Sequence, residues 1–357
     1  MMKTDCLIIA RQKLAEKLNP YQPPVSNPLS VSPWVAMSAL QKAIRRGRNE
    51  IAQRAAATLL AESPERLWRR CGGIAFEDIG VANTETVALV TAALAGKRFR
   101  ATLGGEWKVA SFIVKEMVQA TKCRAADDLL LSAQLHPTYT PLRQTLNLKT
   151  QEELETIAVC DPSLPVKALA TWYATGIFRP TTNMRFRKGS PASVFAAMKE
   201  ADMPFTEIAQ EGYRKVGEIL CPFVSLLLSP ESQEAKSFED DTFLSEVSIS
   251  DVPGWAYDTY TREGRTVYQA FLQGDTQTAQ WIQEYVPQGR RVSFLGTIIF
   301  RIEGGLVRSR LKWPIGEELR RQVDMECNGP HCADASEIMS LARADIDTLN
   351  EVRCHVL

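Results

Sequence analysis

The stretch "SPWVAMSALQKAIRRG", residues 32–47, contains a complete amphipathic helix with both of its ends marked. Ser32 is a residue type that caps helix N-termini, and Pro33 suits the first helical position, which needs no amide hydrogen bond. Gly47 stands where helices commonly end in a left-handed turn. One face carries five apolar side chains: Ala36, Ala39, Leu40, Ala43 and Ile44. The stretch therefore predicts the first helix of an array that runs to about residue 134.

A second helical pattern, "SPERLWRRCGGIAFEDIG" at residues 63–80, ends in two adjacent acids. Its apolar stripe consists of Leu67, Cys71, Ile74 and Ala75. Asp78 continues this stripe, whereas Glu77 falls on the side of Arg66 and Arg70, which predicts ordinary ion pairs there. Gly80 is placed for a left-handed C-terminal cap.

An aspartate that faces a helical core must find donors, because an uncompensated buried charge costs roughly 3–5 kcal/mol. The nearest donors are the amides of the next helix, around residues 83–86, and the cations Lys42 and Arg45. We interpret Asp78 as a structural anchor between helices rather than as a catalytic acid, since the sequence nearby offers no histidine, nucleophilic cysteine or metal cluster. Glu77, Arg70 and Lys42 are assigned to the same structural cluster.

The composition is that of a globular chain with room for two or three domains: 357 residues, 45% apolar and 24% charged. No apolar run reaches the roughly 18 residues of a membrane span, so we expect a soluble, cytoplasmic protein. The eight cysteines are scattered through helical patterns, which favours reduced core thiols over a disulfide framework.

Charge is distributed unevenly along the chain. Residues 1–150 hold 21 Lys and Arg against 12 Asp and Glu, a balance of +9, and residues 151–357 hold 21 against 30, a balance of −9. Such asymmetry attracts a polyanion to the basic half, or holds the two halves or neighbouring subunits together. The sequence leaves both interpretations open.

The predicted fold class is all-α, with two helical domains. We divide the chain into an N-terminal segment with a proline-rich linker or docking strap, a helical domain, a helical extension, an acidic linker and a C-terminal helical domain: residues 1–32, 33–150, 151–229, 230–252 and 253–357. The acidic linker carries seven acids against one lysine between Pro230 and Asp251, which favours a solvated linker over a docking segment.

The stretches "SALQKAIRRG" and "RRCGGIAFEDIGVAN" resemble the C-terminal region of the replication-associated recombination ATPases called RarA or MgsA. The family pattern A-L-x-K-x-x-R-G is matched by Ala39, Leu40, Lys42, Arg45 and Gly47, although Arg46 is an additional residue. A later pattern, R-R, a short spacer, then A-x-E-D-I-G-L-A, is matched by Arg69, Arg70, Ala75, Glu77, Asp78, Ile79, Gly80 and Ala82, although two additional residues precede the acids and Val81 stands in place of the leucine. The resemblance covers residues 33–140, less than a third of the chain.

The resemblance implies an all-helical oligomerisation domain that forms tetramers in a machine acting on DNA. The ATPase motor of the family is not carried over, because a P-loop needs G-x-x-x-x-G-K-[ST]. The closest stretch, "TAALAGKRF", has Thr91 in place of the first glycine and Arg98 in place of the hydroxyl residue. We therefore expect no cofactor and no enzymatic activity.

Several basic stretches are candidate nucleic-acid contacts. They comprise "IRRGR" at a helix end, "GKRFR", and lysines that recur every seven residues after Trp107. A further stretch is "MRFRKGS", whose Phe186 is placed either to stack on a base or to pack on a neighbouring subunit. The candidate residues are Arg45, Arg46, Arg48, Lys97, Arg98, Arg100, Lys108, Lys115, Lys122, Arg185, Arg187 and Lys188. A solvated helix face produces the same spacing, and arginines at a helix C-terminus are also expected from the helix dipole.

The C-terminal tail contains five residues of metal-binding type: Cys327, His331, Cys332, Cys354 and His355. Their spacing is irregular for tetrahedral zinc, so we expect no metal site.

The leading functional hypothesis is a non-enzymatic, self-associating accessory protein of DNA replication, recombination or repair, of a mobile element or a defence system. The alternative is an adaptor that binds an ATPase or another enzyme supplied by a separate chain. An enzyme whose catalytic residues meet only in space is a third hypothesis.

Overall fold

The fold is predominantly α-helical, which confirms the predicted class. The computed structural model describes residues 5–176, 189–228, 237–326 and 335–357. In the first half of the chain, the α-helices of these residues are α1 (Cys6–Leu18), α2 (Pro33–Arg46), α3 (Asn49–Glu62), α4 (Pro64–Ile74), α5 (Thr84–Ala93), α6 (Lys97–Thr102), α7 (Glu106–Gln119), α8 (Ala125–Leu135), α9 (Thr140–Leu146), α10 (Gln151–Cys160) and α11 (Leu164–Thr175).

The second half adds further helices and a few short strands to the described residues. The helices are α12 (Pro191–Glu200), α13 (Thr206–Val216), α14 (Cys221–Leu227), α15 (Arg262–Phe271), α16 (Gln277–Tyr285), α17 (Arg291–Ile299), α18 (Pro314–Met325), α19 (Ala335–Ala344) and α20 (Ile346–Val356). The strands are β1 (Ser237–Glu239), β2 (Ser248–Ile249), β3 (Val252–Pro253) and β4 (Arg310–Lys312); β1 pairs antiparallel with β4, and β2 with β3. None of the described helices has the length and apolarity that crossing a membrane requires.

Helix α2 begins and ends where its sequence signals place it. The Ser32 hydroxyl accepts a hydrogen bond from the Val35 amide, Pro33 occupies the first turn, and Gly47 adopts a left-handed conformation with φ 70°. All five residues of its predicted apolar stripe are buried. Local signals alone therefore define this helix.

The proline-rich segment lies against the helices as a strap. Both the amide and the carbonyl of Leu29, which is buried, bond to the hydroxyl of Thr58 in α3. The indole of Trp107 donates to the carbonyl of Pro24, and the ring of Tyr21 packs edge-on against Phe112 of α7. Of the two interpretations, linker or strap, the structure shows the strap.

The described residues form two hydrophobic cores, and the boundaries between these cores differ from the segment boundaries predicted from the sequence. The larger core includes side chains from α1 through α14, and residues 252–257 and 311–319 join it. The smaller core consists of side chains from α15, α16, α17, α19 and α20. The predicted segments 33–150 and 151–229 thus share one core, and α18 packs mainly on α8 of that core and less on its sequence neighbours β4 and α19.

The acidic segment is held in place over its described part, so its interpretation as a solvated linker is wrong for residues 237–252. The Asp241 side chain is 7% exposed and accepts hydrogen bonds from Arg310 at 2.6 Å and Arg320 at 3.0 Å. Glu246 pairs with Arg48 and accepts a bond of 2.9 Å from the Trp255 indole. Carboxylates concentrated in one segment pair with arginines elsewhere in the chain, and this fixes the segment.

Candidate nucleic-acid interface and the buried acidic centre

The two acids of the second helical pattern lie in a π-helical turn, Ala75–Ile79, that follows α4. Such a turn holds one residue more per hydrogen-bonded ring than an α-helix, which rotates the side chains after it. Gly80 ends the turn with φ 48° and ψ −129°, a backbone conformation that favours glycine, and a Cβ atom there would lie 3.1 Å from the Cys123 carbonyl. Gly80 has the expected positive φ, but its ψ is not that of a left-handed helical cap.

Asp78 is fully buried and paired at both carboxylate oxygens, as its interpretation as an anchor requires. Its Oδ1 accepts hydrogen bonds from Arg45 Nε at 2.8 Å and Arg124 Nη1 at 2.6 Å. Its Oδ2 accepts from Gln41 Nε2 at 2.9 Å. The carboxylate thus connects α2, the π turn and the start of α8. Of the donors predicted for it, Arg45 is confirmed, and the amides of the next helix are not used, because Asn83 caps that helix.

Glu77 takes part in the same cluster from its edge, with 24% of its side chain exposed. It accepts hydrogen bonds from Arg45 at 2.9 Å and from Arg124 at 3.0 Å, so its predicted pairing with Arg66 and Arg70 is wrong. The π turn has rotated it toward α2. Arg70 joins the cluster one step away, through a bond of 3.0 Å to Gln41. Burial opposes the charged form of Glu77, but the two arginines prevail and lower its pKa to about 2.

Lys42 and the arginines of α2 connect the basic front half of the chain, residues 1–150, to the acidic back half, residues 151–357. Lys42 is buried and donates to Asp258 and to the Trp255 carbonyl, each at 2.6 Å, and not to Asp78. Burial lowers the pKa of Lys42 more than its pairing with Asp258 raises it. Arg45 also donates to the Gly304 carbonyl at 2.8 Å, and Arg46 to the Glu303 carbonyl at 3.0 Å. These bonds hold the two halves of the chain together, and the one between Lys42 and Asp258 pairs a cation of the basic half with an acid of the acidic half.

Four residues predicted to contact nucleic acid are buried and engaged within the protein, so they form no part of a surface. Arg45 and Arg46 bind the back half, as described above. Arg100 packs on Trp68, with 4.1 Å to the ring centroid, and pairs with Glu106. Lys122 is 1% exposed and donates to main-chain carbonyls, because α7 ends at Gln119 and the seven-residue spacing does not continue. Burial lowers the pKa of Lys122 to about 8.

The remaining candidates in the described residues lie at the surface. Lys97 and Arg98 are exposed on the short α6 and form no ion pair with a described residue. Arg48 is exposed but paired with Glu246. Lys108 and Lys115 are half-buried on α7, and the Lys115 ammonium lies 5.5 Å from the ring centroid of Tyr21. The other three candidates, Arg185, Arg187 and Lys188, lie outside the described residues.

Two exposed arginines of α4, Arg66 and Arg69, extend this surface and were not among the candidates. Neither has an ion pair with a described residue, and the Arg66 guanidinium lies 5.2 Å from the ring centroid of Trp34, which is exposed. Their spacing of three residues on the polar face of the helix was the available signal. Arg66 was assigned instead to pairing with Glu77, and Arg69 was used only as a match to the family pattern.

A second buried acid, Asp128 at the start of α8, has no hydrogen-bond partner for its carboxylate among the described residues. It lines a cavity of about 130 Å³ together with Cys123, Arg124 and Arg320. Burial raises the pKa of Asp128 to about 7. Between about pH 4 and pH 7 the folded protein therefore keeps a proton on Asp128 that the unfolded chain releases. The free energy of unfolding consequently falls as the pH rises through that window.

We expect the unfolding free energy of the D128N variant, measured relative to that of the parent, to be higher at about pH 8 than at about pH 4 by at least about 1 kcal/mol. Urea titrations at the two pH values measure this difference. D127N is the matched control, because Asp127 accepts a bond of 2.6 Å from Arg124 and its neutralisation should destabilise the protein at high pH. If the stabilities of D128N and D127N changed equally with pH, the raised pKa of Asp128 would be contradicted.

The described residues contain no group of three or more histidine, cysteine, aspartate or glutamate side chains arranged to hold a metal ion. Of the tail residues considered in the sequence, Cys327, His331 and Cys332 lie outside the described part of the chain. Cys354 is an exposed free thiol at the end of α20, beside His355.

The candidate site thus has two parts: a buried centre of charge around Asp78, and exposed cations of α4 and α6 that form no ion pair with a described residue. Comparison with known proteins found no family model, no curated protein and no solved structure that matches this chain.

Proposed function

We propose that the protein is a self-associating, non-enzymatic accessory protein of DNA replication, recombination or repair, and that its front half contacts DNA. One observation carries the proposal. Among the described residues of the front half, a set of cations reaches the surface without an ion pair: Arg66, Arg69, Lys97, Arg98 and Lys108. The resemblance of residues 33–140 to the helical region of RarA and MgsA supports the same function and the self-association.

Surface cations without a carboxylate partner bind a phosphate backbone most readily, because no acid of the protein competes with the phosphate for them. A cation that already has a carboxylate partner, such as Arg48 with Glu246, must give up that partner to bind phosphate. An unpaired cation only exchanges its solvent counterions, and DNA binding then releases the counterions condensed on the DNA. Lys97 and Arg98 are adjacent and exposed, so they are the first pair to test.

We expect the K97Q/R98Q variant to bind DNA more weakly, with a slope of log affinity against log salt that is smaller by up to about 2. Fluorescence anisotropy of labelled single-stranded, duplex and forked DNA across a salt series measures both quantities. The control is R262Q/R290Q, which removes two exposed cations from the back half. If the parent protein binds none of the three DNAs at low salt, the proposed DNA contact is wrong.

Self-association is tested separately by the mass of the native assembly, with and without DNA. We expect an oligomer in both conditions, as the resemblance implies. A monomer at micromolar concentration in the absence and presence of DNA would contradict this part of the proposal.

The alternative function, an adaptor for an enzyme supplied by another chain, rested on the proline-rich strap and the acidic back half. In the structure the strap is docked on α3 and α7, and the described acids of the 237–252 segment include two, Asp241 and Glu246, that are bound to arginines of the same chain. Both features are used within the protein, so we favour the DNA-binding function.

A further inference from the structure

Trp34 is unusual among the tryptophans of this chain because it lies at the surface. The sequence contains seven tryptophans, and all of them lie in the described residues. Trp34 has 56% of its surface exposed, whereas five others are at most 9% exposed and Trp107 is half-buried. An indole is costly to leave in water, at about 25 cal/mol per Å² of apolar surface, so the fold gains nothing from this placement.

The indole is held on a rigid support. Trp34 belongs to the first turn of α2, where the Ser32 cap and Pro33 fix the backbone. The next residues of the helix, Val35, Ala36 and Met37, are buried in the larger core. The ring therefore projects from an element that cannot easily turn it inward, which favours a binding role over a loosely placed side chain.

The charge beside the ring is positive and has no carboxylate partner among the described residues. The Arg66 guanidinium lies 5.2 Å from the Trp34 ring centroid, and Arg69 follows on the same face of α4. Glu62 and Glu65 are the exposed acids of this region, and neither forms an ion pair with Arg66 or Arg69. An exposed aromatic face with unpaired guanidinium groups beside it matches two parts of a nucleotide, the flat base and the phosphate.

We propose that Trp34, Arg66 and Arg69 form a platform for single-stranded nucleic acid, on which one base stacks on the Trp34 ring while the arginines contact the flanking phosphates. A base in a duplex is already stacked on both faces and does not offer its ring to a flat side chain, so the platform selects single strands. This inference rests on the proposed function, because it names the form of DNA that the front half binds.

The test compares the binding of a labelled oligodeoxythymidine and of a duplex of the same length by W34A, W34F and R66Q. We expect W34A to weaken binding of the single strand about fivefold or more, the equivalent of about 1 kcal/mol for one stacked base, and to leave duplex binding within about twofold. W34F should retain most of the affinity, because phenylalanine also stacks. R66Q should weaken binding and reduce the salt slope by about 0.7.

A matched control is Y260A, which removes an aromatic ring that is 74% exposed in the back half. Equal weakening by W34A and Y260A would overturn the inference. If K97Q/R98Q weakens DNA binding while W34A does not, the platform is wrong and the proposed function stands. If the parent binds no DNA, both fail. A change in native mass on W34A without a change in oligodeoxythymidine binding would show a protein contact at Trp34 and overturn the platform.

Discussion

Replacement of Asp78 by alanine should lower the unfolding free energy by about 3–5 kcal/mol. The carboxylate is fully buried and receives Arg45, Arg124 and Gln41. Its removal leaves two buried guanidinium groups, those of Arg45 and Arg124, with less compensation than they have in the parent. Urea denaturation monitored by circular dichroism at neutral pH measures the loss.

Glu77 supplies the matched control for this substitution, because it contacts the same arginines from a position that is 24% exposed. E77Q should cost less, about 1 kcal/mol, since water compensates part of the lost charge. The pKa of Glu77 is lowered to about 2, so the stability that it contributes is present above about pH 4.5 and is lost as the pH falls toward 2. E77Q should therefore show a smaller loss of stability in that window than the parent. An effect of D78A no larger than that of E77Q would contradict the role of Asp78 as an anchor.

Local features of this fold were predictable from the sequence, because the interactions that produce them join neighbouring residues. The cap at Ser32, the end at Gly47 and the burial of Leu67, Cys71, Ile74 and Ala75 follow from such signals. The burial of Asp78 and its pairing with Arg45 also followed, since the helical period sets which face a residue occupies.

The partners of Lys42 and Arg46 were not predictable, because they lie far away in the chain. Lys42 bonds to Asp258, and Arg46 bonds to the carbonyl of Glu303, more than two hundred residues later. A count of charges cannot distinguish an exposed arginine from one that has a distant acceptor. The π turn at residues 75–79 had no recognised signal either, and it turned Glu77 away from the arginines of its own helix. The candidate interface was therefore overpredicted at Arg45, Arg46, Arg100 and Lys122, and Arg66 and Arg69 were missed.

The ion pair between Glu303 and Arg353 should be the main polar contact of the smaller core. Arg353 of α20 donates to both carboxylate oxygens of Glu303, at 2.8 and 2.6 Å. Arg353 is 0% exposed and Glu303 is 3% exposed. Glu303 lies in the second π turn, Phe300–Gly304, whose carbonyls receive Arg45 and Arg46 of α2. Burial would raise the pKa of Glu303, but Arg353 and the other nearby cations lower it. The pair thus connects α20 to the residues that bind the front half.

We expect E303Q and R353M each to lower the unfolding free energy by about 3–5 kcal/mol, because each leaves one buried charge without its partner. The double variant E303L/R353M should lose much less than the sum of the two, since it leaves no charge unpaired and apolar side chains of similar size fill the space. Urea titrations of the three variants and the parent give the coupling energy, with E351Q, which changes an exposed acid of α20, as control. Additive losses would mean that the two side chains act independently, and that the smaller core is joined to α2 by apolar packing and main-chain bonds instead.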